Sequence, residues 1–242
     1  MARRIEKTSG KVGPVVFFNL GDKNHTRSTP KKFKQTKPTK KAALVFGNAS
    51  TIGAALRPAL LEGLSLAPSN DIQTRFVSAI AEWLRAKQIG QHNNKEIVLA
   101  LSDFQFNKLG GEFSKRWQLP WNIQTPDEDS LQVDIPAFIP VQSIAAPAGT
   151  VSIDCMIAAA ACEVGSKTFC GNAKFSFRFE HDQKEIPAKS ILLEIPTPKD
   201  SLLIVAASLK YLVQINGKIK QTINKKFMPS GVVGILYRRI SG

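Results

Sequence analysis

The chain has 242 residues, 43% of them hydrophobic and 21% charged, with a formal net charge of +14. It is too apolar for a disordered chain and long enough for one large or two modest domains, each with its own core. The start, Met-Ala-Arg-Arg-Ile-Glu, holds no apolar h-region, and no run approaches the roughly 18 apolar residues of a membrane span, so the expectation is synthesis in the cytoplasm with no membrane span.

The charge is concentrated at one end. Residues 1–45 contain twelve Lys/Arg and two Asp/Glu, a net +10, and the remaining 197 residues carry only +4. This distribution indicates a basic arm, residues 1–41, attached to a mildly basic globular body. Within the arm, Val15, Val16, Phe17, Phe18 and Leu20 form an apolar run bounded by Gly13 and Gly21, read as a strand. Residues 25–28 are read as its return in a short hairpin. An isolated hairpin is marginal in water, so this one must join a sheet of its own chain or of a neighbour. The following link, KKFKQTKPTKK, has no apolar period, and Pro30 and Pro38 are expected to hold it extended.

Thr39 is a candidate cap for a helix over residues 40–64, with Ala42, Val45, Phe46, Ala49, Ile52, Leu56 and Leu60 at helical spacing. Pro58 is expected to end or kink it near Arg57. The glycines of GNASTIG resemble a phosphate loop only superficially, because no Lys-Ser/Thr follows. Ser69, Asn70 and Asp71 then open a second helix reaching Lys87, whose stripe is Ile72, Phe76, Val77, Ile80, Trp83 and Leu84. Residues 42–90 are therefore read as a helical hairpin.

From residue 91 the pattern changes. Short strands are expected over 97–101, 104–106, 131–135, 151–158, 174–179, 190–195, 202–206, 209–215, 218–223 and 232–237, which indicates an antiparallel β-sandwich of Ig-like type over 91–242. Phe175, Phe177 and Phe179 alternate with polar residues, and Asn216-Gly217 is a strong hairpin signal. The fold class is accordingly α+β.

No catalytic or metal-binding constellation emerges, and no cofactor is expected. His25, His92 and His181 are scattered. Cys155, Cys162 and Cys170 match neither zinc nor redox spacing and are read as reduced thiols in strands. The cluster Asp127-Glu128-Asp129 lacks the alternating ligands of a calcium loop and reads as a turn, with contact to a basic arm from another copy as the functional alternative.

The stretches GKVGPVVFFNLGDKNHTRSTPKK, ALVFGNASTIGAALRPAL, RFVSAIAEWL and DFQFN resemble a family of uncharacterised basic proteins from Bacteroidota. The resemblance covers about the first 110 residues and rests on Gly10, Gly13, Arg27, Pro30, Phe46, Gly47, Ala49, Ser50, Arg57, Phe104, Phe106 and Asn107. It implies that arm and helices form a unit, and it implies no activity.

Two functions follow from these parts. The first is a non-enzymatic structural protein that self-assembles into a homo-oligomer or filament, the strand Val15–Leu20 completing a neighbour's sheet in contacts that can run head to tail. The second is nucleic-acid or other polyanion binding by Arg3, Arg4, Arg27, Lys31, Lys32, Lys34, Lys37, Lys40 and Lys41 through phosphate contacts that read no sequence. A virion or extracellular appendage component would combine both, by analogy with capsid-like folds.

Overall fold

In a computed structural model of the chain, residues 9–20, 23–29, 34–67, 70–88 and 101–238 are described. The chain divides into two compact units, Met1–Lys41 and Ala42–Gly242.

The first unit holds a three-stranded antiparallel sheet in the order β1 (Gly10–Val12), β2 (Val15–Leu20), β3 (Lys23–Ser28). Gly13 (φ 56°) and Pro14 make the tight turn between β1 and β2, where only glycine enters the left-handed region cheaply. The strand expected over 15–20 is present, with a further strand before it.

The link is not extended throughout. Helix α1 runs from Lys37 to Gly63, so Lys37, Lys40 and Lys41 are helical. Its cap is Thr36, not Thr39: the Thr36 hydroxyl accepts the Thr39 amide at 3.4 Å. Pro38 falls in the first turn, where its missing N–H has no intrahelical partner to lose. Pro58 does not end the helix either. It is exposed, so the carbonyl it leaves free faces water, while Leu56 and Leu60 on the other side are fully buried and keep the helix continuous across it. By length and composition α1 could cross a membrane, with a mean hydropathy of 1.2 over its most apolar window. Its buried side chains instead serve the core of the body.

Helix α2 spans Asn70–Gln88, and its expected stripe is buried against α1 and the sheet beyond. Gly53 in α1 lets the two helices approach, since a methyl there would lie 3.2 Å from Val77. Arg75 leaves the solvent side: its Nη1 donates to the Gln105 carbonyl at 2.6 Å and Nη2 to that of Phe106 at 3.3 Å, with the guanidinium over the Phe104 ring. These contacts tie residues 104–106 to α2. They were expected as a strand and form a single bridge, Gln105 to Gly231. Residues 97–100 lie outside the described residues, and Leu101 is helical.

The sandwich has two sheets. In the smaller, β5 (Ser130–Ile135) lies between β4 (Asn122–Gln124) and β8 (Lys189–Glu194). In the larger, β6 (Thr150–Glu163) lies between β7 (Phe169–Glu180) and β9 (Ser201–Ile215), and the other edge of β9 is shared by β10 (Lys218–Gln221) and β11 (Ser230–Arg238). Asn216 (φ 50°) and Gly217 (φ 73°) form the expected hairpin between β9 and β10.

The two strands expected over 202–206 and 209–215 are one fifteen-residue strand. Ser208, the polar interruption, is buried and donates its hydroxyl to the Leu64 carbonyl at 3.2 Å, so it needs no turn. The run Ala158–Ala161 continues β6 although alanine favours helix, because both faces of the larger sheet are covered. Ala158, Ala160, Cys162, Leu202, Ile204 and Ala206 face the helices. Ile153, Ile157, Ala159, Ala161, Leu203, Val205 and Tyr211 face Leu131, Val133, Ile191 and Leu193 of the smaller sheet. The architecture of the body is therefore α+β with an antiparallel sandwich, in three layers: helices, large sheet, small sheet.

Candidate interaction surfaces

The amino-terminal sheet is the most unusual surface of the protein, because none of the described residues of Met1–Lys41 is buried. Register sorts its side chains into two faces, since directly paired residues point the same way. Val12 pairs with Val15, and Phe17 with Thr26 and Gly10. Among the described residues this face is uncharged: Val12, Val15, Phe17, Asn19, Asn24, Thr26 and Ser28. Val12 is 69% exposed and Val15 and Phe17 are half-buried.

The opposite face carries Lys11, Val16, Phe18, Lys23, His25 and Arg27. Here the Phe18 and His25 rings stack, with centroids 5.5 Å apart and planes 23° apart, and the Arg27 guanidinium lies 5.6 Å from the Phe18 centroid. Three planar groups thus stand in a row among lysines. Nothing in the composition signals this row; only the pairing of 18 with 25 and 16 with 27 reveals it.

The expected assembly strand is the centre of this sheet, hydrogen-bonded on both sides by β1 and β3. The outer edges of β1 and β3 are what remains for pairing with another chain. Of the expected polyanion contacts, Arg27 sits on the basic face, and Lys34, Lys37, Lys40 and Lys41 are exposed. Lys37, Lys40 and Lys41 share one side of α1 by their i, i+3 and i+4 spacing. They stand at the positive end of the helix dipole with no acidic residue in the first turn, a placement that favours an anion nearby. Arg3, Arg4, Lys31 and Lys32 lie outside the described residues.

In the body, β7 ends the larger sheet, and its Phe175, Phe177 and Phe179 form a row with centroids 6.0 and 5.5 Å apart. Phe179 is buried, whereas Phe175 and Phe177 are only half-buried at the lip of the sandwich, so the expected aromatic face is incompletely covered. A hollow of about 490 Å³ beside Trp121 is lined by Pro120, Pro136, Lys189 and the Asp134 carboxylate. Hydrogen bonds from Ser190 (2.6 Å), Gln132 and Asn122 hold Asp134 below the usual carboxylate range.

The remaining polar groups staple the fold. Lys87 Nζ donates to Asp200 at 2.9 Å and lies 4.1 Å from the Tyr237 ring centroid, and the Tyr237 hydroxyl also donates to Asp200. Burial opposes ionisation of Asp200, but the hydrogen bonds from Tyr237 and Lys87 outweigh it and lower its pKa. The sequence reading missed this cluster, whose members are far apart in the chain. Glu128 of the acidic turn is paired with Arg238 at 2.7 Å, and Asp127 accepts the Asp129 amide at 2.9 Å, so part of that cluster is satisfied within the chain. Among the described residues no group of three or more His, Cys, Asp or Glu is placed to hold a metal ion. Cys155 and Cys162 are buried in β6, and Cys170 is half-buried in β7.

No protein-family model and no curated protein matches the sequence. Among solved structures, a glycosyl hydrolase family 2 member from Bacteroides cellulosilyticus is similar at 13% identity, over 43% of this chain and 13% of that chain, with a TM-score of 0.23. A second solved structure, of a glycosyl hydrolase family 2 member from Bacteroides cellulosilyticus DSM 14838, is similar at 15% identity over 47% of this chain and 14% of its own, also at 0.23. The matched part is about a seventh of either hydrolase, and at that score the likeness carries no argument about fold or activity.

Proposed function

We propose that the protein is a non-enzymatic structural protein that self-assembles, the amino-terminal sheet of one copy adding to the sandwich of another. The observation that carries this reading is that the amino-terminal unit, taken by itself, buries none of the described side chains of its sheet. A sheet of this size needs a hydrophobic face packed on something to persist in water. Because Val12 is largely exposed but Val15 and Phe17 are already half-buried, burying what remains of the three would contribute roughly 1–4 kcal/mol before association costs, at about 1.5–3 kcal/mol per fully exposed side chain.

The receiving edge in this reading is β7. Within the described ladders its outer edge is unpaired, and a strand laid beside it would cover Phe175 and Phe177. The outer edge of β3 supplies that strand, and the uncharged face of its sheet extends the sandwich core past the aromatic row. Such a contact joins unlike surfaces and repeats, giving rings or filaments. A virion or appendage component is the setting this combination of basic arm and sandwich fits, on fold-level analogy.

The test is the molar mass of nuclease-treated protein by light scattering in high salt, where exposed charge contacts are screened. The expected result is a large multiple of 26.5 kDa that Val15→Asp with Phe17→Asp reduces to 26.5 kDa. A wild-type monomer, or a variant that assembles like the wild type, refutes the reading.

A further inference from the structure

We propose that the basic face of the amino-terminal sheet binds single-stranded nucleic acid, an unpaired base stacking on the Phe18–His25 pair while Lys11, Lys23 and Arg27 meet its phosphates. The inference does not rest on assembly, because it uses the face of the sheet opposite to Val12, Val15 and Phe17.

Charge complementarity comes first. The described residues of this unit carry Lys11, Lys23, Arg27, Lys34, Lys37, Lys40 and Lys41 and no Asp or Glu, a concentration of positive charge that attracts a polyanion. Each lysine or arginine that meets a phosphate releases condensed counterions. Charge alone would serve any polyanion. The planar row selects among them: Phe18 is 36% exposed, parallel to His25 within 23°, and flanked by the Arg27 guanidinium. Every base presents a π-face to such a platform, whereas a paired base in a duplex hides both of its own in the stack. A poly-glutamate chain has carboxylates for the lysines but no ring to place on the aromatic pair. The basic–aromatic–basic order across three strands therefore favours an unpaired strand running over the sheet, read without sequence preference.

The experiment uses full-length, nuclease-treated protein and the fluorescence anisotropy of a labelled oligo-dT of about 15 nucleotides, within the usual site sizes. A duplex of equal length and unlabelled poly-glutamate serve as competitors. Phe18→Leu keeps the apolar bulk and removes the π-face, and it is expected to weaken oligo-dT binding about tenfold while leaving the salt dependence unchanged. Phe18→Trp is expected to retain binding. Arg27→Gln is expected to lower the slope of log K against log salt by about 0.7. Light scattering on the same samples reports assembly separately, so loss of one property is distinguished from loss of the other. The proposal is overturned if oligo-dT does not bind, if the duplex or poly-glutamate competes as well as unlabelled oligo-dT, or if Phe18→Leu binds within about twofold of wild type.

Discussion

Replacing Gly63 by alanine is expected to destabilise the protein, whereas the same change at Gly47, sixteen residues earlier in the same helix, is expected to stabilise it. Both glycines are helical, so alanine gains about 0.5–1 kcal/mol at either from backbone entropy alone. At Gly47 nothing lies within 4 Å of the added methyl, and the gain stands. At Gly63 the methyl would sit 2.6 Å from the Cβ of Ala158 on β6. Two carbons rest comfortably at about 3.5–4 Å, so the end of α1 must lift from the sheet by about 1 Å. That movement pulls at the bond from Ser208 to the Leu64 carbonyl (3.2 Å) and unseats the fully buried Leu64. Overpacking of this kind costs about 1–3 kcal/mol, or a melting temperature lower by about 3–10 °C for a chain of this size. Thermal unfolding followed by circular dichroism measures both variants. Adding Ala158→Gly to Gly63→Ala should recover part of the loss, a coupling that a double-mutant cycle reads directly. If Gly63→Ala raised the melting temperature as Gly47→Ala does, the close seating of α1 on β6 would be wrong.

Two other expectations concern the body. Asp200→Asn should cost about 1–3 kcal/mol near neutral pH, because Lys87 is left partly buried without its charge partner. The Asp200 carboxyl is held below its ordinary value, so its contribution is present above about pH 4 and lost as the pH falls through the folded-state pKa; urea midpoints of wild type and variant should converge on acidification. A constant gap down to about pH 2 would refute this role. Iodoacetamide should label the native protein only at Cys170, because burial pushes the Cys162 thiol up to about 11 and Cys155 higher still; all three should react in denaturant. A native adduct on Cys155 or Cys162, found by mass spectrometry, would show that β6 opens readily.

Much of the fold was legible in the chain because it is written in local periodicity. The stripe from Ile72 to Leu84, the alternation of Phe175 to Phe179 and the Asn216-Gly217 turn each declare an element without reference to distant residues. The errors arose where tertiary contacts override local signals. Pro58 would break a helix that had no buried neighbours, and Ser208 would end a strand that had no helix carbonyl to receive its hydroxyl. The alanines of β6 extend the strand only because both of its faces are covered.

The candidate surfaces follow the same division. Sequence alone determined that the charge is gathered in residues 1–45 and that an apolar run lies among it, since both are properties of order along the chain. Tertiary structure decided that this run is the middle of a sheet and sorted its neighbours, Val12 with Val15 and Phe17 on one side, Phe18 with His25 and Arg27 on the other. The physical reason is strand register: which residue faces which depends on pairing across a turn, and a slip of one residue would exchange every side chain between the uncharged face and the basic one.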